Sequence, residues 1–207
     1  MTLPRAVILI SGRGSNMEAL LRETQCGILE GQCTICGVLS NREDALGIKR
    51  AQALGFPTRI VSSKGHDSTA YGQKLLTALS DWTPDVIVLA GFMRILSRDV
   101  IAAYRGRIVN IHPADTAAYQ GPDGYGWAAS NKLTETSITV HLVDEGVDTG
   151  PVLHQEPVSL EGAFTREDIA ERGLQVEHAL YSRCLAQLFA GHYDAVITSF
   201  QLQRGRE

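Results

Sequence analysis

The stretch "PDVIVLAGFMRILSRDVIAAYRGRIVNIHP", residues 84–113, decides the fold because it predicts a strand, a helix and a second strand in succession. The unbroken apolar run in "PDVIVLAG" is typical of a strand that is buried on both faces of a sheet. "SRDVIAAYRG" predicts a short helix and "RIVNIH" the next strand. Pro113 has no amide hydrogen for a sheet ladder, so the strand should stop there. A strand, a helix and a strand in this order predict a parallel pair.

The same alternation extends back to the start of the chain. Three further strands are predicted in "RAVILIS", "TICGVLS" and "PTRIVSS", and the helices between them in "SNMEALLRETQ", "DALGIKRAQALG" and "DSTAYGQKLLTALSDW". Strands that alternate with helices form a doubly wound parallel sheet with helices on both faces. The first half of the chain therefore predicts an α/β fold.

The pattern changes after Pro113. "SITVHLVD" and "PVLHQEPVSL" are strands without a helix between them, so they should pair antiparallel, and a long helix follows in "TREDIAERGLQVEHALYSRCLAQLFAG". We therefore expect a mostly parallel sheet with antiparallel strands added in the C-terminal half. Residues 1–207 should form one domain, in which 1–112 is a phosphate-binding half and 113–207 adds a loop, a hairpin and the long helix.

Composition narrows the function classes. The 207 residues are 44% hydrophobic and 20% charged, as in globular proteins. A net charge of −4 and the lack of a dense Lys/Arg run argue against nucleic acid as the main partner. The apolar runs are too short for a signal peptide or a membrane span. We therefore expect a cytoplasmic protein that acts on small molecules and does not attach to membranes.

Asn110 and His112 are the first candidate site residues. Their spacing of two places both side chains on the same face of a strand that ends at Pro113. Ligands bind at this carboxyl edge in open α/β sheets. An imidazole beside an amide could stabilise a developing oxyanion, although a satisfied polar pair at a strand end would give the same pattern.

The glycine-rich turn "ISGRGSN" joins the first strand to the first helix. Backbone N–H groups at such a turn suit a phosphate. The turn is not a dinucleotide fingerprint, because Met17 occupies the third glycine position, and it lacks the Gly-Lys-Ser/Thr end of a P-loop. The alternative is a tight turn with Ser15 or Asn16 as the helix cap.

The loop "VDEGVDTGP" brings Asp144, Glu145 and Asp148 between the two antiparallel strands. A carboxylate near a histidine raises the pKa of the imidazole and fixes its tautomer, although an acidic loop is also typical of a solvated turn. His141, within the preceding strand, is predicted to be a structural histidine. The cysteine pair in "CTIC" has no second pair and no nearby histidine, so we predict no metal site.

Six segments together resemble the glycinamide ribonucleotide transformylases of the folate-dependent formyltransferase superfamily. They are "SGRGSN", "LSNREDALGIKRA", "PDVIVLAGFMRILS", "NIHP", "TVHLVDEGVDTGPVL" and "VEHALY", collinear from about residue 6 to about residue 190. The resemblance implies a Rossmann-like formyltransferase fold. It also implies transfer of a formyl group from 10-formyltetrahydrofolate, as co-substrate and without metal, to the amine of 5-phosphoribosyl glycinamide in purine synthesis.

The resemblance also implies roles for individual residues. The catalytic set would be Asn110, His112 and Asp148. The acceptor would be bound by Gly14, Ser15 and Asn16 at its phosphate and by Glu177 at its ribose or glycinamide. The folate would be bound by main-chain contacts from Met93, Arg94, Ile95 and Leu96, by Asn110, and by the loop Asp144, Glu145, Gly146, Val147 and Asp148. The partners would be small molecules, and the protein a monomer or homodimer.

The chain departs from the family in the segment Ala114–Trp127. The family usually continues "NIHP" with "SLLP" and then Pro-Gly, whereas this chain reads "ADTAAYQG" and then "PDGYGW". "KGHDSTAYG" also lacks an arginine that is usual near that position. These differences leave open formylation of another small amine, such as a sugar nucleotide. Two alternatives remain open apart from them: hydrolysis of formyltetrahydrofolate, and a folate-binding module without catalysis.

Overall fold

The computed structural model describes residues 2–203, which form a seven-stranded sheet flanked by seven helices. The strands are β1 Arg5–Ile10, β2 Thr34–Ser40, β3 Thr58–Ile60, β4 Val86–Leu89, β5 Ile108–His112, β6 Glu135–Leu142 and β7 Val152–Ser159. The helices are α1 Ser15–Cys26, α2 Leu46–Ala53, α3 Ser68–Ser80, α4 Arg98–Ala103, α5 Gly124–Ser130, α6 Arg166–Phe189 and α7 Asp194–Leu202.

The strand order in the sheet is β3-β2-β1-β4-β5-β6-β7. The first five strands along the chain are parallel, β6 runs antiparallel to β5, and β7 runs antiparallel to β6. The prediction of a mostly parallel sheet with antiparallel strands in the C-terminal half is therefore confirmed. Strands β1, β4 and β5 lie side by side, so their carboxyl ends meet at one edge.

The sheet separates two apolar cores, as a doubly wound fold requires. On β1, Ile8 and Ile10 pack into the core shared with α1 and α6, whereas Val7 and Leu9 pack into the core shared with α3 and α4. These four side chains are 0% exposed. A strand buried on both faces has no polar alternation, which explains why its apolar run is continuous.

Two helices were not predicted from the sequence. Helix α5 lies within the segment expected to be a loop, and its four-residue start, Gly-Tyr-Gly-Trp, has low helix propensity. Its cap is Asp123, which has a left-handed backbone (φ 60°) and whose side chain accepts from the Gly126 N–H. Helix α7 follows the break at Gly191, where φ is +81°.

The start of helix α1 distinguishes the two interpretations of the glycine-rich turn. The N-cap is Gly14, which has φ 73°, and no side chain caps the first turn. Ser15 and Asn16 are the first helical residues instead. The alternative of a turn capped by Ser15 or Asn16 is therefore wrong, and the backbone N–H groups of this turn have no side-chain acceptor.

Candidate active site

The end of β5 brings the predicted polar pair to the carboxyl edge of the sheet. Asn110 pairs across the strands with His141 on β6, and His112 pairs with Thr139. The loop between β6 and β7 folds back over this edge and carries Asp148 to both side chains. The structure therefore brings Asn110, His112 and Asp148 together, as the sequence predicted.

Asp148 is the centre of the cluster. Its Oδ2 lies 3.3 Å from His112 Nδ1 and accepts from the Gly121 N–H at 2.9 Å. Its Oδ1 lies 3.4 Å from His141 Nε2 and accepts from Asn110 Nδ2 at 3.3 Å. The Asp148 backbone is left-handed, with φ 53°, a conformation that costs about 1 kcal/mol or more for a non-glycine residue. The surrounding contacts hold the chain in this conformation.

The charge of Asp148 follows from these contacts. Burial is the largest single effect and raises the pKa of the carboxyl group. Hydrogen bonds from His141 and the Gly121 amide, together with the nearby imidazoles, outweigh burial, so the pKa of Asp148 lies below its usual value. The carboxylate is therefore ionised at neutral pH.

The ring of His112 has an oxygen acceptor at each nitrogen. Nδ1 faces Asp148, and Nε2 lies 3.0 Å from the carbonyl oxygen of Tyr119. An imidazolium, which donates from both nitrogens, satisfies this arrangement. However, the side chain is 4% exposed, and burial lowers the pKa of His112 more than the Asp148 charge raises it. Asp148 thus raises the pKa of His112 as expected, but the net shift is downward because of burial, which was not visible in the sequence.

His141 belongs to the same cluster, although it was predicted to be only structural. Its Nδ1 lies 2.8 Å from the Leu142 carbonyl oxygen, which makes Nδ1–H the donor. Nε2 lies 3.2 Å from Asn110 Nδ2 and 3.4 Å from Asp148 Oδ1. The amide group of Asn110 is thus held by His141 and Asp148. The β5–β6 register that places His141 opposite Asn110 is not readable from one sequence.

A cavity of about 440 Å³ opens beside this cluster. Its walls are largely apolar and include Phe92, Leu96, Ile101, Val143 and Val147, while Asn110, His112 and Asp148 form its polar end. All of the residues predicted to bind folate line this cavity except Glu145, namely Met93, Arg94, Ile95, Leu96, Asn110, Asp144, Gly146, Val147 and Asp148.

Two residues differ in detail from their predicted folate contacts. Glu145 lies 4.0 Å from Arg105 and does not line the cavity. The N–H of Met93 donates to Ser11 Oγ at 2.7 Å, so this main-chain donor is already used. The Met93 side chain is 73% exposed and that of Ile95 is 63% exposed, so the mouth of the cavity presents apolar surface to solvent.

The predicted acceptor-binding residues also lie together. Gly14 starts α1 in a left-handed conformation, and a Cβ atom there would lie 3.0 Å from Gly47 Cα. Asn16, two residues later, donates from Nδ2 to Glu177 Oε2 on α6. Tyr125, from the unpredicted helix α5, donates its hydroxyl to the other carboxyl oxygen of Glu177. Glu177 is 4% exposed, and burial raises the pKa of its carboxyl group.

The segment Ala114–Trp127 covers the catalytic cluster. The ring of Tyr119 stacks on that of Trp127 with centroids 4.9 Å apart, and the centroid of the His112 ring lies 6.2 Å from that of Tyr119. These contacts, with the Tyr119 carbonyl at His112 Nε2, explain why His112 is buried. A polar, glycine-rich sequence gave no signal for such an aromatic stack.

Within residues 2–203, no group of three or more His, Cys, Asp or Glu side chains could hold a metal ion. Over the same range, no helix is both long enough and apolar enough to cross a membrane. The groups around Asp148, two imidazoles and an amide beside an ionised carboxylate, can form hydrogen bonds and transfer protons.

Comparison with known proteins gives consistent matches. A family model described as formyl transferase matches residues 4–185. The phosphoribosylglycinamide formyltransferase of Escherichia coli (strain K12) is 38% identical over 176 residues, which cover 84% of this chain and 82% of that protein. The trifunctional purine biosynthetic protein adenosine-3 of Drosophila melanogaster is 37% identical over 188 residues, which cover 90% of this chain and 14% of that protein.

A solved structure agrees in fold as well as in sequence. The crystal structure of phosphoribosylglycinamide formyltransferase from Brucella melitensis superposes with a TM-score of 0.84 at 39% identity. The match covers 92% of this chain and 97% of the other. At 92% of the chain, the match extends well beyond residues 1–112, the half that many α/β proteins share.

Proposed function

Since the chain belongs to the formyl transferase family, we propose that it transfers a formyl group from 10-formyltetrahydrofolate to the amine of phosphoribosylglycinamide in purine biosynthesis. The observation that carries the proposal is the convergence of Asn110, His112 and Asp148 at the polar end of an apolar cavity. A volume of about 440 Å³ lies in the range typical of small-molecule sites.

The folate would lie in this cavity. The apolar walls from Phe92 to Leu96 and Val143 to Val147 suit a flat heterocycle, and main-chain polar groups at their edges can orient it. The formyl group would then reach the polar end, beside His112. The exposed Met93 and Ile95 at the mouth would contact the part of the folate that leaves the cavity.

The acceptor would approach from the start of α1. The uncapped first turn offers backbone N–H groups and the positive end of the helix dipole to a phosphate. Glu177, held by Asn16 of this turn, is a hydrogen-bond acceptor that could bind sugar hydroxyls. An acceptor fixed at both points would direct its amine to the formyl carbon.

In the proposed reaction the amine attacks the formyl carbon directly and forms a tetrahedral oxyanion. The new C–N bond forms at the acceptor, the bond from the formyl carbon to N10 of the folate breaks, and one proton moves from the attacking nitrogen to N10. His112 would donate from Nε2 to the oxyanion in place of the Tyr119 carbonyl. The Asn110 amide would turn from its contacts with His141 and Asp148 to donate beside it.

The charge of His112 would follow the reaction. Burial lowers the pKa of His112 in the structure, so the imidazolium is disfavoured at rest. When negative charge develops on the formyl oxygen, His112 lies between that charge and Asp148, and both favour the imidazolium. Stabilisation that appears only in the transition state raises kcat more than it changes substrate binding. Asp148 would also help to move the proton towards N10.

The test is a reaction of the purified protein with 10-formyltetrahydrofolate, followed by the absorbance of the deformylated folate. We expect deformylation only when phosphoribosylglycinamide is present. Deformylation at the same rate without an acceptor would identify a hydrolase and refute the proposal. Deformylation only with a different amine would retain the chemistry and refute the proposed acceptor.

A further inference from the structure

Glu177 is the most enclosed carboxyl group in the proposed acceptor site. It is 4% exposed, and both of its oxygens already have hydrogen-bond donors: Asn16 Nδ2 at Oε2 and the Tyr125 hydroxyl at Oε1. No lysine, arginine or histidine among residues 2–203 forms an ion pair with it. A hydroxyl-bearing ligand that binds this carboxylate therefore meets a site where an internal hydroxyl is already bound.

The Tyr125 hydroxyl is held there by the packing of its ring. Tyr125 is 8% exposed, and its ring lies directly against Gly173 on α6, where any Cβ atom would overlap it. A Cβ atom at Gly124 would lie 2.6 Å from the carbonyl oxygen of Pro113, so α5 packs tightly on the end of β5. Side chains at positions 124 and 173 would push the helix away. The two glycines thus allow Tyr125 to reach Glu177.

A phenol that donates to a carboxylate imitates a sugar hydroxyl. Both are O–H donors of similar reach, and a ribose presents two neighbouring hydroxyls that could each donate to one carboxyl oxygen. With Tyr125 at Oε1, one of these two positions is filled from within the protein. A sugar hydroxyl that takes Oε1 must displace the phenol, so one hydrogen bond is exchanged for another and little free energy is gained.

We propose that the Tyr125 hydroxyl replaces one ribose hydroxyl of the acceptor at Glu177, so that the protein binds ribosyl and deoxyribosyl phosphates almost equally well. The inference rests on the proposed function for the placement of a ribosyl phosphate against α1 and Glu177. It makes Tyr125 a residue that determines acceptor specificity without contact with the reacting atoms. The segment that departs from the family, Ala114–Trp127, thereby acquires a specific role in substrate choice.

The experiment compares ribose 5-phosphate with 2-deoxyribose 5-phosphate as probes, by isothermal titration calorimetry of the full chain. For the unmodified protein we expect dissociation constants within about threefold of each other, since the lost hydroxyl is replaced by Tyr125. Tyr125→Phe keeps the ring on Gly173 and removes only the oxygen. It should bind ribose 5-phosphate about tenfold more tightly than the unmodified protein and should prefer it to the deoxy sugar by a similar factor.

Tyr193→Phe is the matched control. Its hydroxyl donates to Gln187 at 2.6 Å, on the part of α6 distant from Glu177, so its removal should leave the ratio of the two dissociation constants unchanged. The unmodified protein alone can overturn the inference, if it prefers ribose 5-phosphate by tenfold or more. Unchanged or weaker ribose binding in Tyr125→Phe also overturns it, as does failure of both sugars to bind.

The readout is binding and not formyl transfer, so the two proposals fail separately. A protein with the expected sugar ratios that transfers no formyl group would refute the proposed function and leave the role of Tyr125 intact. Formyl transfer to phosphoribosylglycinamide, combined with a strong preference for ribose 5-phosphate in binding, would support the proposed function and refute the role of Tyr125.

Discussion

Replacement of Asp148 by asparagine is the perturbation whose effect follows most directly from the geometry. Asp148 Oδ2 lies 3.3 Å from His112 Nδ1. At this distance, with an effective dielectric constant of about 20, a carboxylate and an imidazolium attract each other by about 5 kcal/mol. Asparagine keeps the shape and one acceptor oxygen but loses the charge. In either orientation its NH2 group faces a hydrogen-bond donor, Asn110 Nδ2 or the Gly121 N–H.

We expect kcat for formyl transfer to fall by a factor of about 100 to 10,000, the range for the loss of one acid–base or oxyanion-stabilising group. The KM values of both substrates should change by less than about threefold, because the lost interaction strengthens only when charge develops. Steady-state rates measured by deformylation of the folate give both quantities. Asp81→Asn, at a surface carboxylate paired with Arg59, is the control. A kcat loss below tenfold, or an effect mainly on KM, would refute the reasoning.

Three further outcomes follow from the structure. Gly14→Ala should raise the KM for the acceptor at least tenfold more than it raises the KM for the folate, because φ is +73° and the new Cβ atom would meet Gly47. Gly31→Ala is the control, since Gly31 has a similar φ but open space around its Cβ position. The same effect on KM in Gly31→Ala would mean that backbone strain alone is responsible. Glu177→Gln should raise the Tm more at pH 8 than at pH 5. Burial raises the pKa of the Glu177 carboxyl group, so its ionisation lowers the stability of the folded protein increasingly above about pH 4.5, and glutamine removes this cost. A change in Tm that is the same at both pH values would contradict this. NMR titration should give His112 a pKa below 6.5, and a still lower pKa in Asp148→Asn, because the carboxylate favours the charged ring. A higher pKa in the variant would show that Asp148 does not stabilise the imidazolium.

The sheet could be predicted from the sequence because its signals are local. The apolar run of β4 and the alternation of strands with helices indicate parallel strands buried on both faces, and the lack of a helix between β6 and β7 indicates an antiparallel pair. Asn110 and His112 could be identified as a pair by their spacing of two on β5. Asp148 as their partner came from the resemblance, because the conformation of a loop has no comparable periodicity.

The rest depends on tertiary contacts that the sequence does not encode locally. His141 joins the cluster through the β5–β6 register, which a single sequence leaves open. Tyr125 reaches Glu177 from a helix that begins with Gly-Tyr-Gly, a sequence with low helix propensity that is stabilised by the Asp123 cap and by packing against α6. The net pKa shift of His112 is downward because the ring is buried, and Tyr119 is one of the residues against it. The sequence-based prediction included only the upward effect of the nearby carboxylate.

In the proposed reaction the formyl group passes directly from the folate to the amine of phosphoribosylglycinamide beside His112. The most direct measurement uses 10-formyltetrahydrofolate with a ¹³C-labelled formyl carbon, incubated with the protein and the acceptor and followed by ¹³C NMR. We predict that the label moves to an N-formyl resonance of the acceptor at a rate that falls at least a hundredfold in His112→Ala. Label that appears as free formate, or transfer to the acceptor that His112→Ala leaves unchanged, would contradict the claim.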